Sequence, residues 1–190
     1  MSAVSKKITS RSLKSFVAAA MLLTGTALVS TRAEAAEIIP SLGMTKAVDG
    51  SDNTRISYGL AVRAPMASAL DAEVGIGYRK DELFNDTVER TQWPITGSLW
   101  LKPTPMLYAG GGVGWYNTTL RYPGTTIDSQ TSQDFGVHLG GGLSVPMVPN
   151  VASLDLNGRY IWLGDQTSEL PPQTFKADFW TTSLGVGFHF

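Results

Sequence analysis

The sequence predicts an all-β fold, a single eight-stranded antiparallel up-and-down barrel that spans a membrane. Eight segments alternate apolar and polar residues with the period of two that is typical of a strand with two different faces. Beyond residue 36, glycine or a polar side chain interrupts every apolar run within a few residues. No run therefore approaches the roughly 20 residues of a transmembrane helix. A closed β-barrel is the other structure that can cross a bilayer.

The composition excludes several classes of protein. The 190 residues include 20 glycines and no cysteine, and only 16 % of them are charged. Without cysteine, the chain cannot form a disulfide, a zinc–thiolate site, an iron–sulfur cluster or a cysteine nucleophile. The formal net charge of −1 gives no electrostatic reason to expect binding to nucleic acid.

Residues 1–35 have the features of a secretory signal peptide. Four basic residues between Lys6 and Lys14 precede the apolar run 16–30, and Ala33-Glu34-Ala35 fits a small-x-small cleavage site. The alternative is a membrane anchor, but this run is shorter than the roughly 20 residues that a bilayer requires. We therefore expect residues 1–35 to be removed on export and residues 36–190 to form the barrel domain.

The alternating segments are separated by connections of two kinds. The segments lie at about 39–48, 55–63, 70–79, 92–102, 107–115, 135–145, 154–162 and 180–190. Short connections that contain proline follow every second segment, at 65–68, 103–105 and 146–150. Longer polar connections occupy 117–132 and 164–177. This layout is typical of outer-membrane barrels, with short periplasmic turns and longer extracellular loops.

One proline does not fit the strand pattern. Pro94 lies inside the fourth segment, where it cannot donate a hydrogen bond to the sheet. We therefore expect a β-bulge at this position.

The large aromatic residues of the apolar face favour a membrane barrel over a soluble one. A soluble eight-stranded barrel, such as a lipocalin, also alternates but turns its apolar face inward. All the Trp and Tyr residues of the apolar face are predicted to lie near the loop end of the barrel, which is the pattern of an interfacial aromatic girdle. The predicted girdle consists of Tyr58, Tyr78, Trp93, Trp115, Tyr160, Trp162 and Trp180.

The polar face carries charges in the middle of strands. An Arg or Lys turned to the lipid midplane would cost about 2–4 kcal/mol, so these charges are expected to face the lumen. Arg63 is expected to face Asp71 or Glu73 across a short hairpin. The predicted lumen ion-pair network consists of Arg63, Asp71, Glu73, Arg79, Asp155 and Arg159. It has two interpretations, a packed lumen in which the charges neutralise one another and a narrow or gated ion path.

The sequence offers little catalytic chemistry. Its two histidines, His138 and His189, both fall on the inward face, and neither has a serine as its same-face neighbour two residues away on its own strand. A general base needs its nucleophile within hydrogen-bond reach, so a partner from another strand stays open. We predict no enzyme activity, no catalytic residue, no cofactor and no metal site.

Four segments resemble a known family. The residues 183–190, SLGVGFHF, are similar to the C-terminal assembly signal that the barrel-insertion machinery of bacteria recognises, which implies this role for Phe188 and Phe190. The glycine-rich segments 107–116 and 135–143 and the segment 159–163 resemble strands of the small outer-membrane barrel domain family around OmpA, OmpX and OmpW. The resemblance covers 36–190. It implies the bacterial outer membrane as location, with lipid, lipopolysaccharide and the barrel-assembly machinery as partners.

Three functions are compatible with these features. The first is a non-enzymatic envelope-structural or surface-interaction role. The second is a small channel or carrier for small or apolar solutes, as the OmpW-like members of the family imply. The third is a lipid A-modifying enzyme. Eight strands leave an interior that side chains can fill, so a wide pore of about 16 strands is not expected.

Overall fold

The computed structural model describes residues 36–48, 54–83, 88–122, 128–167 and 174–190, and regular structure within them is all β. The strands are β1 (Glu37–Ala47), β2 (Arg55–Ala67), β3 (Leu70–Leu83), β4 (Val88–Leu101), β5 (Leu107–Arg121), β6 (Gln130–Val148), β7 (Ala152–Trp162), β8 (Asp165–Thr167), β9 (Thr174–Lys176) and β10 (Phe179–His189). A helix with the length and apolarity to cross a bilayer is absent from these ranges. The predicted signal peptide, 1–35, lies outside the described residues.

Eight of the strands close into an antiparallel barrel in the order β1-β10-β7-β6-β5-β4-β3-β2. The predicted eight-stranded barrel is therefore confirmed. Cross-strand partners followed once around the barrel from Glu37 lead back to Ala47, ten residues further along β1. This stagger tilts the strands against the barrel axis. Both β1 and β10 are paired on both sides, so the sheet has no open edge.

The distribution of side chains is the reverse of that in a soluble barrel. Large apolar side chains such as Leu42 and Leu139 are more than half exposed, whereas Arg63 and Glu73 are buried. In water, this arrangement would expose apolar surface and desolvate charges, both at a cost. In a bilayer, it presents an apolar surface to lipid and encloses the charges in the lumen.

Two of the predicted loops contain more strand than expected. The β5–β6 ladder continues from Asn117↔Gln133 to Leu120↔Gln130, so much of the expected loop 117–132 is hairpin. Its threonines suit a pleated sheet, and the hydroxyls of Thr119 and Thr131 lie 3.3 Å apart across the ladder. The expected loop 164–177 contains the small antiparallel pair β8–β9.

The expected bulge at Pro94 is wrong. Pro94 pairs with Tyr116 on the β5 side without a change of register. On the β3 side, the pairs Ile76↔Ile95 and Arg79↔Gln92 belong to one register, in which Pro94 faces Gly77. A Cβ atom at Gly77 would lie 3.0 Å from Pro94 Cγ, so the glycine leaves space for the proline ring. The register shifts lie instead beside the short turns, at Pro65/Ala67 and Pro146/Val148.

A substitution at Gly142 would test how tightly the lumen is packed. A Cβ atom at this position would lie 2.5 Å from Tyr108 Oη, whereas a Cβ atom at Gly158 would meet nothing within 4 Å. We expect Gly142→Ala to lower the free energy of unfolding by about 1–3 kcal/mol, because overpacking forces neighbouring groups to move. The measurement is urea unfolding in lipid vesicles with Gly158→Ala as the matched control. Equal stability of the two variants would contradict the prediction.

Candidate functional site in the barrel lumen

A buried arginine joins three carboxylates in the lower part of the lumen, near the short turns. Arg63 Nη2 donates to Glu73 Oε2 at 2.8 Å, and Nη1 donates to Asp155 Oδ2 at 2.9 Å and to Glu37 Oε1 at 3.2 Å. The register of the sheet explains the meeting, because Arg63 on β2 is the partner of Glu37 on β1 and of Glu73 on β3. Asp155 reaches the same guanidinium from β7.

A second arginine extends this group upward. Arg159 Nη2 donates to Glu73 Oε1 at 2.7 Å, and its Nε donates to Asn157 Oδ1 at 2.6 Å. Glu73 therefore bridges two guanidinium groups. We call the five charged residues together the lumen ion cluster: Glu37, Arg63, Glu73, Asp155 and Arg159.

Neutral side chains complete the hydrogen bonding of the cluster. Tyr108 Oη donates to Asp155 Oδ1 at 2.8 Å and accepts from Asn157 Nδ2 at 3.0 Å. Ser153 Oγ donates to Glu37 Oε2 at 3.2 Å. Buried charges are tolerated only when they are paired and hydrogen-bonded, so the stability of the lumen ion cluster depends on these contacts.

Aromatic rings fill the space between the charged groups. Trp100 is fully buried and packs edge-on against Tyr108, with ring centroids 5.3 Å apart. The Arg63 guanidinium lies 4.4 Å from the Tyr108 ring centroid, and the Arg159 guanidinium lies 4.9 Å from that of Trp100. Planar guanidinium groups stack well on aromatic faces. Rings and charges together occupy the lumen at this level.

Two members of the predicted network lie elsewhere. Asp71 pairs with Lys102, at 3.0 Å between Oδ2 and Nζ, and not with Arg63. The reason is the register, which sets Asp71 opposite Pro65. Arg79 lies nearer the loop end, with its guanidinium 3.5 Å from the ring centroid of Phe179.

The predicted lumen ion-pair network does not include Glu37 or Tyr108. Glu37 begins β1, the weakest of the alternating segments, whose predicted start at 39 excluded it. Its inward direction could have been inferred only from the pairing of β1 with β2 and β10. Tyr108 had a usable signal, because it is an aromatic residue on the inward face of a strand that is otherwise glycine-rich there.

A serine and a histidine from different strands form a hydrogen-bonded pair. Ser98 Oγ lies 2.9 Å from His138 Nε2, and both side chains are buried. They meet across β5 because Gly112, the partner of both in the register, has no side chain. Among the described residues, His138 Nδ1 has no hydrogen-bond partner, so no carboxylate of these residues orients the ring as in a catalytic triad. Nor do the described residues contain a group of three His, Asp or Glu side chains suited to a metal ion.

A cavity of about 130 Å³ lies within the lumen and extends from the lumen ion cluster toward the loop end. Glu73, Asn157 and Arg159 line it at the cluster. The aromatic residues Tyr116 and Phe179, which pack edge-on at 6.1 Å, line it nearer the loop end. Its lining also includes the hydroxyl-bearing residues Ser41, Thr45, Ser57, Thr96, Thr181 and Ser183.

The seven aromatic residues of the predicted girdle each lie in the half of their strand that is nearer the loop end. Several contact one another around the barrel. Tyr78 packs against Tyr58 at 6.5 Å and against Trp93 at 4.7 Å between ring centroids. Tyr160 packs against Trp162 at 4.5 Å and Trp180 at 4.6 Å, and Trp115 packs against Phe135 at 5.7 Å.

The aromatic pair of the predicted assembly signal lies at the opposite end of the barrel. Phe188 and Phe190 are 50 % and 67 % exposed, at the end of β10 near the short turns. The backbone N–H of Phe190 donates to Ala36 O at 2.9 Å, so this segment pairs with the start of β1.

Comparisons with known proteins agree with this architecture. The sequence profile of the outer membrane protein β-barrel domain family matches residues 15–190. The crystal structure of Neisserial surface protein A is similar with a TM-score of 0.63 at 17 % identity, over 82 % of this chain and 97 % of that one. OprG from Pseudomonas aeruginosa is similar with a TM-score of 0.53 at 17 % identity, over 82 % and 96 % of the two chains.

A third similar structure is Ail, the attachment invasion locus protein of Yersinia pestis, in complex with the heparin analogue sucrose octasulfate. Its TM-score is 0.52 at 13 % identity, over 82 % of this chain and 97 % of that one. Likeness at these identities shows the fold alone. No curated protein matches the sequence.

Arg63 is expected to be the most sensitive residue of the lumen. Arg63→Met would leave three carboxylates without their shared cation, and we expect a loss of about 3–5 kcal/mol in the free energy of unfolding. Arg121→Met is the control, because Arg121 is an exposed strand residue with a long 4.0 Å contact to Glu89 Oε1. We expect it to change stability by less than about 0.5 kcal/mol. The measurement is urea unfolding in vesicles, and similar midpoints for both variants would contradict the prediction.

Proposed function

Since this chain belongs to the outer membrane protein β-barrel domain family, we propose that it serves in the bacterial outer membrane as a non-enzymatic integral protein with an envelope-structural or surface-interaction role. The observation that carries the proposal is the filled lumen. The lumen ion cluster, Trp100 and Tyr108 occupy the interior where a pore would have to pass. Eight strands enclose little more space than such side chains fill.

The Ser98–His138 pair supports the non-enzymatic part of the proposal. Both residues are buried inside the barrel, whereas an enzyme acting on a membrane lipid needs its nucleophile where the lipid can reach it. Within the part of the chain that the structure describes, His138 also has no hydrogen-bonded carboxylate of the kind that orients and stabilises a catalytic histidine. Buried polar groups are normally hydrogen-bonded, so a hydrogen bond between Ser98 and one nitrogen of His138 needs no catalytic explanation.

A narrow path for small solutes is the second candidate. The cavity beside the lumen ion cluster favours this function, because about 130 Å³ of the lumen is not filled by side chains. Passage would require Arg63 and its carboxylates to separate. Three ion pairs at 2.8–3.2 Å oppose that movement, which is why we rank this function second.

The proposed partners are inferred from the exposed side chains at the two ends of the barrel. The girdle residues have the amphipathic rings that favour the membrane interface, so lipid and lipopolysaccharide of the outer leaflet are proposed as their partners. Lys46 is exposed beside Trp180, its partner in the β1–β10 ladder, which suits a lipid phosphate at the same height. At the other end, Phe188 and Phe190 are proposed as the contact for the barrel-assembly machinery.

Conductance distinguishes the two candidate functions. We expect the purified barrel in a planar lipid bilayer to show no unitary current steps, because the lumen ion cluster blocks the interior. A general porin reconstituted in the same bilayer serves as the positive control. Reproducible current steps from the wild-type barrel, absent from protein-free bilayers, would refute the structural role and support the second candidate.

Removal of Phe190 tests the proposed assembly role. We expect the truncated protein to reach the outer-membrane fraction in greatly reduced amount, and to lose the difference in gel mobility between heated and unheated samples that a folded barrel gives. Phe135→Ala is the matched control, because Phe135 is an equally apolar, exposed residue on the lipid face of β6. Normal insertion of the truncated protein would reject the role of Phe190.

A further inference from the structure

The three short turns at the periplasmic end of the barrel share one dipeptide. A methionine follows a proline in each of them, as Pro65-Met66, Pro105-Met106 and Pro146-Met147. The three methionine side chains are 45–56 % exposed and lie at the same end of the barrel. We call the segments that contain them the turn rim: 65–69, 103–106 and 146–151.

Two of these methionines lie at β-bulges. The register shifts at the ends of β2 and β6 leave Met66 and Met147 as the extra residues of their strands. A bulge bends its strand and re-aims a side chain. On the same two strands, Val62 and Val145 are exposed on the outer face shortly before the bulges. The turn rim therefore continues the apolar surface that meets lipid.

The backbone of the turn rim is suited to an apolar layer. Lipid offers no hydrogen bonds, so backbone groups within it must be paired inside the protein. The backbone N–H of Lys102 donates to Ala69 O at 2.9 Å, and that of Ser144 donates to Met106 O at 2.7 Å, so neighbouring turns are joined. None of the rim residues is charged. Five of them have no backbone N–H to satisfy: Pro65, Pro103, Pro105, Pro146 and Pro149.

The height of the lipid-facing strands indicates that the turn rim is needed to span the apolar layer. Eight positions separate girdle residues from the last outward residue before the rim, as between Trp93 and Leu101 or between Trp115 and Leu107. At about 3.3 Å per residue, this length is roughly 26 Å along the strand. A tilt of about 35–45° reduces it to roughly 19–22 Å across the membrane, whereas the apolar band of such barrels is about 25 Å tall. The strands alone fall short by a few ångström.

We propose that the turn rim is an anchor seated in the inner, phospholipid leaflet of the outer membrane, with the thioethers of Met66, Met106 and Met147 among the acyl chains. Methionine suits this position because its flexible, unbranched side chain adapts to an irregular apolar surface. The anchor depends on the outer-membrane location alone and not on whether the lumen conducts. The neutral polar residues of the rim lie at the headgroups: Ser68, Thr104 and Asn150.

The first test measures the depth of the turn rim in phospholipid vesicles. Because the chain has no cysteine, a spin label can be attached to the single variants Met66→Cys, Met106→Cys and Met147→Cys. The controls are Leu156→Cys, on the lipid face at mid-strand, and Ser132→Cys, on the exposed β5–β6 hairpin. We expect the rim labels and Leu156→Cys to collide several-fold more with oxygen than with a water-soluble nickel chelate, and Ser132→Cys to show the reverse.

Folding of each labelled variant is checked by the difference in gel mobility between heated and unheated samples. Rim labels that behave like Ser132→Cys in folded barrels would overturn the proposal, because the rim would then meet periplasmic water or a periplasmic protein.

The second test changes the apolar height of the barrel. A triple variant with Met66→Gln, Met106→Gln and Met147→Gln keeps the side-chain size but makes the rim polar. We expect its urea midpoint to fall in dioleoyl phosphatidylcholine vesicles and to stay near the wild-type value in thinner dilauroyl vesicles, which the strands span without the rim. Leu156→Gln, the control within the lipid face, is expected to lower the midpoint in both.

An equal effect of the triple variant in the two kinds of vesicle, or no effect in either, would contradict the anchor. If the triple variant does not fold, the spin-label measurements on the single variants decide.

Discussion

The ladder between β1 and β10 is the interaction on which the rest of the structure depends. Lipid offers no hydrogen bonds to an open sheet edge, so the first and last barrel strands must pair. This pairing gives the barrel its ten-residue stagger and its strand tilt. Through β10 it also connects β1 to β7, whose Asp155 and Arg159 reach Arg63 and Glu73 across the lumen. The lumen ion cluster therefore joins strands from both sides of the closing ladder.

The lumen shows how a small membrane barrel is stabilised with little apolar core. Most of its large apolar side chains are on the outside. Apart from a small buried cluster of Tyr116, Ile161 and Phe179, the interior depends on ion pairs, hydrogen bonds and ring stacking. Such a network is stable only when it is complete, because a buried charge that loses its partner carries its full desolvation cost. Glu73 illustrates this constraint, since its two oxygens accept from Arg63 and Arg159. Gly142 on β6 leaves space for the Tyr108 hydroxyl.

The two ends of the barrel differ in chemistry. The loop end has a belt of Trp and Tyr, an extended β5–β6 hairpin and the small β8–β9 pair. Asp178 fastens the base of this last hairpin, because its Oδ1 accepts from the backbone N–H groups of Leu163 and Gly164 at 2.8 and 3.1 Å. The turn end has tight connections with proline and exposed phenylalanines. This asymmetry suits a protein whose two faces meet different surroundings.

The sequence by itself determined the strand number, the barrel class and the direction in which Arg63, Glu73, Asp155 and Arg159 point. Strand periodicity is a local property. A period of two assigns each side chain to one of two faces of the sheet, and its polarity then shows whether that face meets lipid or the lumen. The tertiary structure decided which charges meet. The register of the strands places Glu37 beside Arg63 and pairs Asp71 with Lys102. It also allows Ser98 to contact His138 across Gly112. Pro94 kept the ladder in register because Gly77 faces it, a pairing that depends on how two strands align and that neither strand encodes alone.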